Sequence, residues 1–241
     1  MKRGVETARA ERLLRKGTLT LEGRLVYASN ASFLGAVTLE SEATRCVYKP
    51  TAGERPLNDF PDGTLAYREV AAYLVSEASG WEIAPPTVFR EDGPHGPGMA
   101  QLWIEVDEAV SVAELLTAGD ARLRRIAAFD AVVNNTDRKG GHLLPAPDGR
   151  LLGVDHGVCF STYPKLRTIL WGWRGQPFAE DELAALRTVR GALDGDLGRA
   201  LRGLLSRAEV RATIARVDSL LAAGTFPFPN PGWPAVPWPP F

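Results

Sequence analysis

At 241 residues the chain is long enough for one large or two small domains with a substantial core. Hydrophobic residues make up 45% and charged residues 24%, the balance of a globular domain and not of a disordered chain. The formal net charge of −1, with no block of like charge, argues against nucleic acid as a partner.

Residues 5–16 read as a short amphipathic helix, with Val5, Ala8, Leu13 and Leu14 on its apolar side and Gly17 as its stop. This charged N-terminal stretch lacks the apolar core of a signal peptide. Leu19 to Val26 and Phe33 to Leu39 alternate as strands, joined by the small polar loop Tyr27-Ala-Ser-Asn-Ala-Ser32. Strand, loop and strand in this order can lay backbone N–H groups over phosphates, although most such loops are plain hairpins. Arg45-Cys-Val-Tyr-Lys49-Pro50 follows, an apolar strand that closes on an ammonium and is stopped by proline. After a turn-rich loop from Thr51 to Gly63, Leu65 to Gly80 predicts a strong helix. Leu65, Val70, Ala71, Tyr73, Leu74 and Ala78 share its apolar side, Glu69 lies early in it, and Gly80 ends it.

Pro85 and Pro86 mark Trp81 to Phe89 as an edge strand. The loop 90–98 carries His95, read as an exposed loop histidine, and Met99 to Ile104 is a buried strand. Val110 to Leu116 and Asp120 to Val133 turn helical, with Asp120 as N-cap of the second. After Phe160 a short segment, STYPKLRTILWGWRGQPF, is aromatic and basic, with Lys165, Arg167 and Arg174. Helices are predicted from Phe178 to about Arg190, from Leu193 to Leu205 and from Ser206 to Ala223, the last opened by the capping box Ser206-x-x-Glu209. The tail, 224–241, is rich in proline and aromatics and favours polyproline II. It can be a disordered tail, a ligand for a partner's aromatic-lined groove, or an arm strapped along its own domain; its regular aromatics favour burial. Cys46 and Cys159 both fall in apolar runs, which predicts buried thiols in a reducing, cytoplasmic setting. No window approaches the ~18 apolar residues of a membrane span, so a lipid substrate would have to be met at a surface.

The chain is organised around Phe129 to Phe160, where the end of an apolar helix leads through a polar loop into a short hairpin. Leu143-Leu144 and Leu151 to Val154 pair across the turn Pro145-Ala-Pro-Asp-Gly149. Pairing them sets His142 opposite Gly153 or Val154, with Asp155 one step further along the same mouth and Asp137 in the loop that feeds it. Two carboxylates, an imidazole and the amides of Asn134 and Asn135 then converge at one sheet edge. That is costly unless a cation or a reacting group uses it. For either half alone, an Asn/Asp-rich turn beside an ordinary hairpin is the plainer account.

Taken together, Asn135-Thr136-Asp137-Arg138 and Val154-Asp155-His156-Gly157 resemble the phosphatidylinositol 3- and 4-kinase family, whose pattern runs N-x-D-R-x-x-x-N and then I-D-x-G. The likeness is greatest to small actinobacterial proteins placed near that family, and it runs from about residue 20 to 223. It implies an α+β, bilobal, protein-kinase-like (lipid-kinase-like) fold of minimal size. The N-terminal lobe would be 1–104, the mainly helical C-terminal lobe 105–223, and the tail 224–241.

The resemblance also implies roles. Asp137, Arg138 and Lys49 would be catalytic, with Asp137 as base. Lys49 would hold the α- and β-phosphates of ATP and pair with Glu69, or with its rival Glu77. Ser29, Asn30 and Ser32 would stand in for the absent G-x-G-x-x-G loop. Gln101, Leu102, Trp103 and Ile104 would line the base pocket, and the basic segment after Phe160 would receive an acceptor's phosphates. Asp155 and His142 would bind metal. His142 departs from the pattern: an Asn oxygen suits Mg²⁺, whereas an imidazole nitrogen suits Mn²⁺ better. The implied cofactors are ATP with Mg²⁺ or Mn²⁺, and the implied reaction is phosphoryl transfer to a hydroxyl of a lipid, metabolite or protein. A peripheral membrane or protein partner fits the same reading. Two other readings stay open: a catalytically degenerate nucleotide-binding regulator, and a transferase of AMP.

Overall fold

The computed structural model describes residues 2–26 and 30–241, with side chains from Glu6 onward; Ser29 of the expected phosphate loop and the Val5 side chain lie outside the described residues. Helix α1 (Lys2–Lys16) leads into a five-stranded antiparallel sheet. Its strands are β1 (Thr18–Arg24), β2 (Phe33–Leu39), β3 (Glu42–Pro50), β4 (Thr87–Arg90) and β5 (Gly98–Leu102), in the spatial order β1-β2-β3-β5-β4. Helix α2 (Leu65–Ser79) is inserted between β3 and β4, and Gly80 ends it in the left-handed conformation that glycine adopts freely. The strand expected over 81–89 forms instead at Thr87–Arg90 on the sheet edge. Pro85 and Pro86 have no N–H for a ladder, and the Pro86 carbonyl takes the Leu102 N–H.

The remainder is mainly helical: α3 (Val112–Ala118), α4 (Ala121–Val133), the hairpin of β6 (Leu143–Pro145) and β7 (Leu151–Gly153), then α5 (Glu180–Asp194), α6 (Asp196–Leu201) and α7 (Arg207–Ala223). Helix α6 is shorter than the expected 193–205, because glycines at 195 and 203 flank it. Asp120 caps α4 by accepting the Arg122 N–H, and Ser206 and Glu209 close the capping box of α7 in both directions. Among the described residues no helix is long and apolar enough to cross a membrane.

Two cores result. One lies between α1 and the sheet, from Leu13, Leu14, Leu19, Val37, Cys46, Tyr48, Val88 and Ala100. The larger fills the helical half, around Ile126, Phe129, Leu143, Phe160, Leu186 and Val217. Helix α2 belongs to both halves: Ala66 and Val70 pack on Met99 of β5, while Ala71, Ala72 and Val75 enter the helical core. Fully burying one such Val side chain contributes ~1.5–3 kcal/mol, so apolar packing on both sides lets α2 tie the two halves together.

Candidate active site

Strand alternation decides which way Lys49 faces. Cys46 and Tyr48 of β3 are buried in the α1-side core, so Val47 and Lys49, one step out of phase, point to the other face and line a cleft. Glu69 lies one turn after Leu65 on α2, and both border the same cleft. The Lys49 ammonium sits 2.7 Å from Glu69 Oε1 and 2.8 Å from Asp155 Oδ1. Burial disfavours its charge, but the Asp155 and Glu69 carboxylates outweigh that and raise its pKa above the ordinary lysine value. Glu69 is 2% exposed, and its second oxygen accepts the His156 N–H at 2.8 Å, so it is held from both sides. The rival Glu77 borders a different pocket, with Glu6 and Glu82, and makes no pair with Lys49.

Asp155 follows β7 and has φ +62°, a left-handed conformation uncommon outside glycine and costing of order 1–3 kcal/mol. Its side chain is half exposed in the cleft, and the Lys49 ammonium holds its carboxyl well below the usual carboxylate range. His142 Nε2 lies 3.4 Å from Asp155 Oδ2. Burial lowers the His142 pKa, which keeps the ring neutral at pH 7. Its Nδ1 faces the Lys139 N–H at 3.4 Å, favouring a proton on Nε2, so ligation of an ion through Nε2 would have to displace that proton.

Asp137 lies in the loop after α4, with its carboxylate 2.9 Å from Arg167 Nη2 and 3.5 Å from the Lys139 ammonium. Its backbone N–H is taken by Asn135 Oδ1 at 3.0 Å. Two adjoining cavities meet at Lys49, Asp155 and Asn30. The first, about 540 Å³, is bordered by Val47, Leu102, Trp103, Ile104, Leu144 and Val154. The second, about 420 Å³, is bordered by Asp137, Arg167, Phe60, Leu57, Arg55 and Trp233.

Several expected site residues have other work. Arg138, grouped above with the catalytic residues, is fully buried. It pairs with Asp130, donates to the carbonyls of Val154 and His142, and meets His156 Nε2 at 2.7 Å. It ties the mouth of the hairpin together. Burial drives the His156 pKa well below its ordinary value, so that ring is neutral and accepts from Arg138. Asn134 and Asn135 do not open into the cleft. Asn134 caps α4 and binds the Ser161, Tyr163 and Lys165 backbone, while Asn135 donates to Asp130. Gln101 sits inside the sheet between Val47 and Thr87 and borders the first cavity, with its amide nitrogen donating to Thr87 Oγ1 at 2.8 Å. The N–H groups of Leu102 and Trp103 are taken by Pro86 and Arg45; that of Ile104 forms no hydrogen bond among the described residues. Ser32 is buried, with its hydroxyl donated to the Asn30 carbonyl, and Asn30 Oδ1 accepts the Arg55 N–H. The sequence carries no signal that places Arg167 or Trp233 beside Asp137. Arg167 is 30 residues away in sequence, and nothing in a proline-rich tail marks one aromatic above another.

Asp155 and His142 fit a divalent ion only as part of a larger shell. No group of three or more His, Cys, Asp or Glu residues among the described residues could hold a metal unaided. One carboxylate with phosphate oxygens and water is, however, the usual shell of Mg²⁺ at a nucleotide.

No protein-family model matches the chain. Protein Rv2133c of Mycobacterium tuberculosis (strain ATCC 25618 / H37Rv) is 44% identical over 95% of this chain and 94% of its own length. Phosphatidylinositol 4-kinase gamma 6 of Arabidopsis thaliana is 26% identical over 68% of this chain, which spans only 32% of that protein. Among solved structures, the Golgi casein kinase with Mn/ADP bound superposes with a TM-score of 0.61 at 13% identity, over 91% of this chain and 75% of that one. Hydra Fam20 with sugar gives 0.54 at 14%, over 91% and 88%. At such identities the superpositions speak for a shared fold.

Proposed function

The chain belongs to one family with Protein Rv2133c of Mycobacterium tuberculosis and has a minimal kinase-like α+β fold, and on that footing we propose that it is an ATP- and divalent-metal-dependent phosphotransferase. One observation carries the reading. Lys49 is held between Glu69 and Asp155 where two cavities meet, and Asp137 stands in the wall of the second. The Arabidopsis relative named as a phosphatidylinositol 4-kinase, and the neighbour holding Mn/ADP, point the same way.

In this reading the first cavity takes the adenine, between Val47 and Leu144, with the unbonded Ile104 N–H facing its polar edge. Lys49 grips phosphate oxygens, and Glu69 keeps its ammonium from swinging away. Asp155, with His142 beside it, would hold the divalent ion, which when bound supplies charge neutralisation for the transferring phosphoryl group. The acceptor hydroxyl enters the second cavity and gives its proton to Asp137 as its oxygen bonds the γ-phosphorus. The bond from that phosphorus to the bridging oxygen breaks, and ADP leaves. Arg167 fixes the Asp137 carboxylate, so orientation is set before the acceptor arrives. A lipid, a metabolite and a protein hydroxyl all suit this chemistry.

Purified protein with Mn²⁺ or Mg²⁺ should convert ATP to ADP. Asp137→Asn should keep ATP binding while turnover drops ~10²–10⁴-fold, as for loss of a positioned base. Asp155→Asn should abolish metal-dependent ATP binding and leave the fold intact. ATP binding without consumption by the wild type would identify a nucleotide-binding regulator instead, and release of pyrophosphate would identify transfer of AMP.

A further inference from the structure

After Ala223 the chain has no regular secondary structure, and Phe228, Trp238 and Phe241 stay exposed against the expected burial, yet backbone and ring contacts anchor it at several points. Phe226 exchanges backbone hydrogen bonds with Gly175 and Gln176, and its ring packs against Phe178 at a 44° tilt. Asn230 donates to the Pro164 carbonyl at 2.9 Å, and the Lys165 ammonium lies 4.4 Å from the centre of the Trp233 ring. The Ala235 carbonyl accepts both the Thr168 N–H at 3.0 Å and the Trp171 indole N–H at 2.8 Å. The Pro240 carbonyl accepts the Gly140 N–H at 2.8 Å, and the Phe241 ring lies where a β-carbon on Gly140 would go.

These contacts fall on both sides of Asp137. Between Ser161 and Phe178 the only regular structure is a single short turn, Trp171–Trp173, so the segment depends on outside partners. One partner is the loop that carries Asp137. Arg167 donates its N–H to the Asn135 carbonyl, Arg138 donates to the Arg167 carbonyl, and Ile169 donates to the Arg138 carbonyl. The other is Ala235, on the opposite side of Thr168. Arg167, which orients Asp137, is therefore held in a layer between the loop and residues 226–241. Trp233 also steadies Lys165, whose ammonium pairs at 2.9 Å with Asp59, a residue that borders the second cavity.

We propose that residues 226–241 are an intramolecular strap that positions the acceptor side of the cleft, with Trp233 as its wall of the acceptor cavity. The proposal rests on the phosphotransferase reading only for which cavity takes the acceptor. The strap supplies in cis the order that this segment cannot supply for itself. Trp233 is a positioning residue acting through Lys165 and the 164–171 segment on Arg167 and Asp137. The adenine cavity has no strap residue in its wall, so nucleotide binding does not depend on the strap.

The test compares full-length wild type, Trp233→Ala, Trp233→Phe and Trp238→Ala, the last a strap residue 88% exposed to solvent. Amide hydrogen exchange at Gly140 and Thr168 reads the strap directly, with no need for turnover. It should speed up by about fivefold or more in Trp233→Ala, the loss expected when a bond of this kind opens. ATP turnover with Mn²⁺ should drop by ~10²-fold, while the calorimetric affinity for ATP with Mn²⁺ moves by less than about twofold. Trp233→Phe, which keeps a ring over Lys165, should restore most of both, and Trp238→Ala should match wild type. Unchanged exchange at both amides in Trp233→Ala overturns the strap, and so does a parallel loss of ATP affinity and turnover, which would mean a general loss of fold. A wild type that turns over no ATP would sink the phosphotransferase reading, with the exchange data still deciding on the strap.

Discussion

A single residue, Lys49, shows how little sequence distance matters in the cleft: its two carboxylate partners come from α2 and from the turn after β7. If its ammonium contacts phosphate, Lys49→Met should weaken ATP far more than adenosine, by at least ~10-fold for one lost charged contact of ~1.5–3 kcal/mol. Equal weakening of the two ligands, measured by calorimetry, would assign Lys49 to packing. His142 poses a second question at the same scale. A nitrogen ligand favours Mn²⁺ over Mg²⁺ more than a carboxamide oxygen does, so His142→Asn should narrow the Mn²⁺ preference of ATP binding. The Lys139 contact at Nδ1 supports the alternative, a loop cap. Titrating both metals against wild type and variant decides, since a cap leaves the preference unchanged.

At the scale of elements, α2 is the hinge pin of the molecule. Glu69 faces the cleft, and the neighbouring Arg68 is buried towards α7, where it pairs with Glu209 and donates to the Cys159 carbonyl at 2.8 Å. Burial by itself would raise the Glu209 pKa, but the Arg68 guanidinium and the Ser206 N–H together hold it below the ordinary 4.5. A carboxyl depressed on folding stabilises the native state above its unfolded pKa, and that contribution is lost as pH falls through the folded value. Wild-type melting temperature should therefore decline as pH drops below about 4.5, and more steeply than in Glu209→Gln, which has no proton to take up there. At pH 7 the variant should be less stable by ~3–5 kcal/mol, because Arg68 is left as a buried charge without its partner. Melting curves of both proteins from pH 3 to 7 check the two statements, and parallel curves would show that the pair contributes nothing.

For the whole molecule, what the sequence determined was whatever depends on near neighbours. Alternation placed β2 at Phe33–Leu39, and it set Lys49 out of phase with Cys46 and Tyr48. Helical period and a terminal glycine bounded α2, and Asp120 and Ser206-x-x-Glu209 announced the starts of α4 and α7. The same local logic joined β6 to β7 and set the His142 and Val154 backbones against each other, with the Val154 N–H donated to the His142 carbonyl at 3.0 Å. Each of these follows from steric and hydrogen-bonding preferences over a few residues. The tertiary structure decided which polar residues of the 134–142 loop are scaffold, since a loop has no period to say which side is inward. Arg138 lies beside Asp137 in the chain, yet it is the one sealed against Asp130, while Arg167 reaches the open carboxylate. Only the fold, too, laid residues 226–241 against 164–178 and Gly140. Proline and aromatic residues fix an extended, apolar segment, but the surface that receives it is assembled from chain distant in sequence, Gly140 and 164–178, and exists only once the helical half has folded.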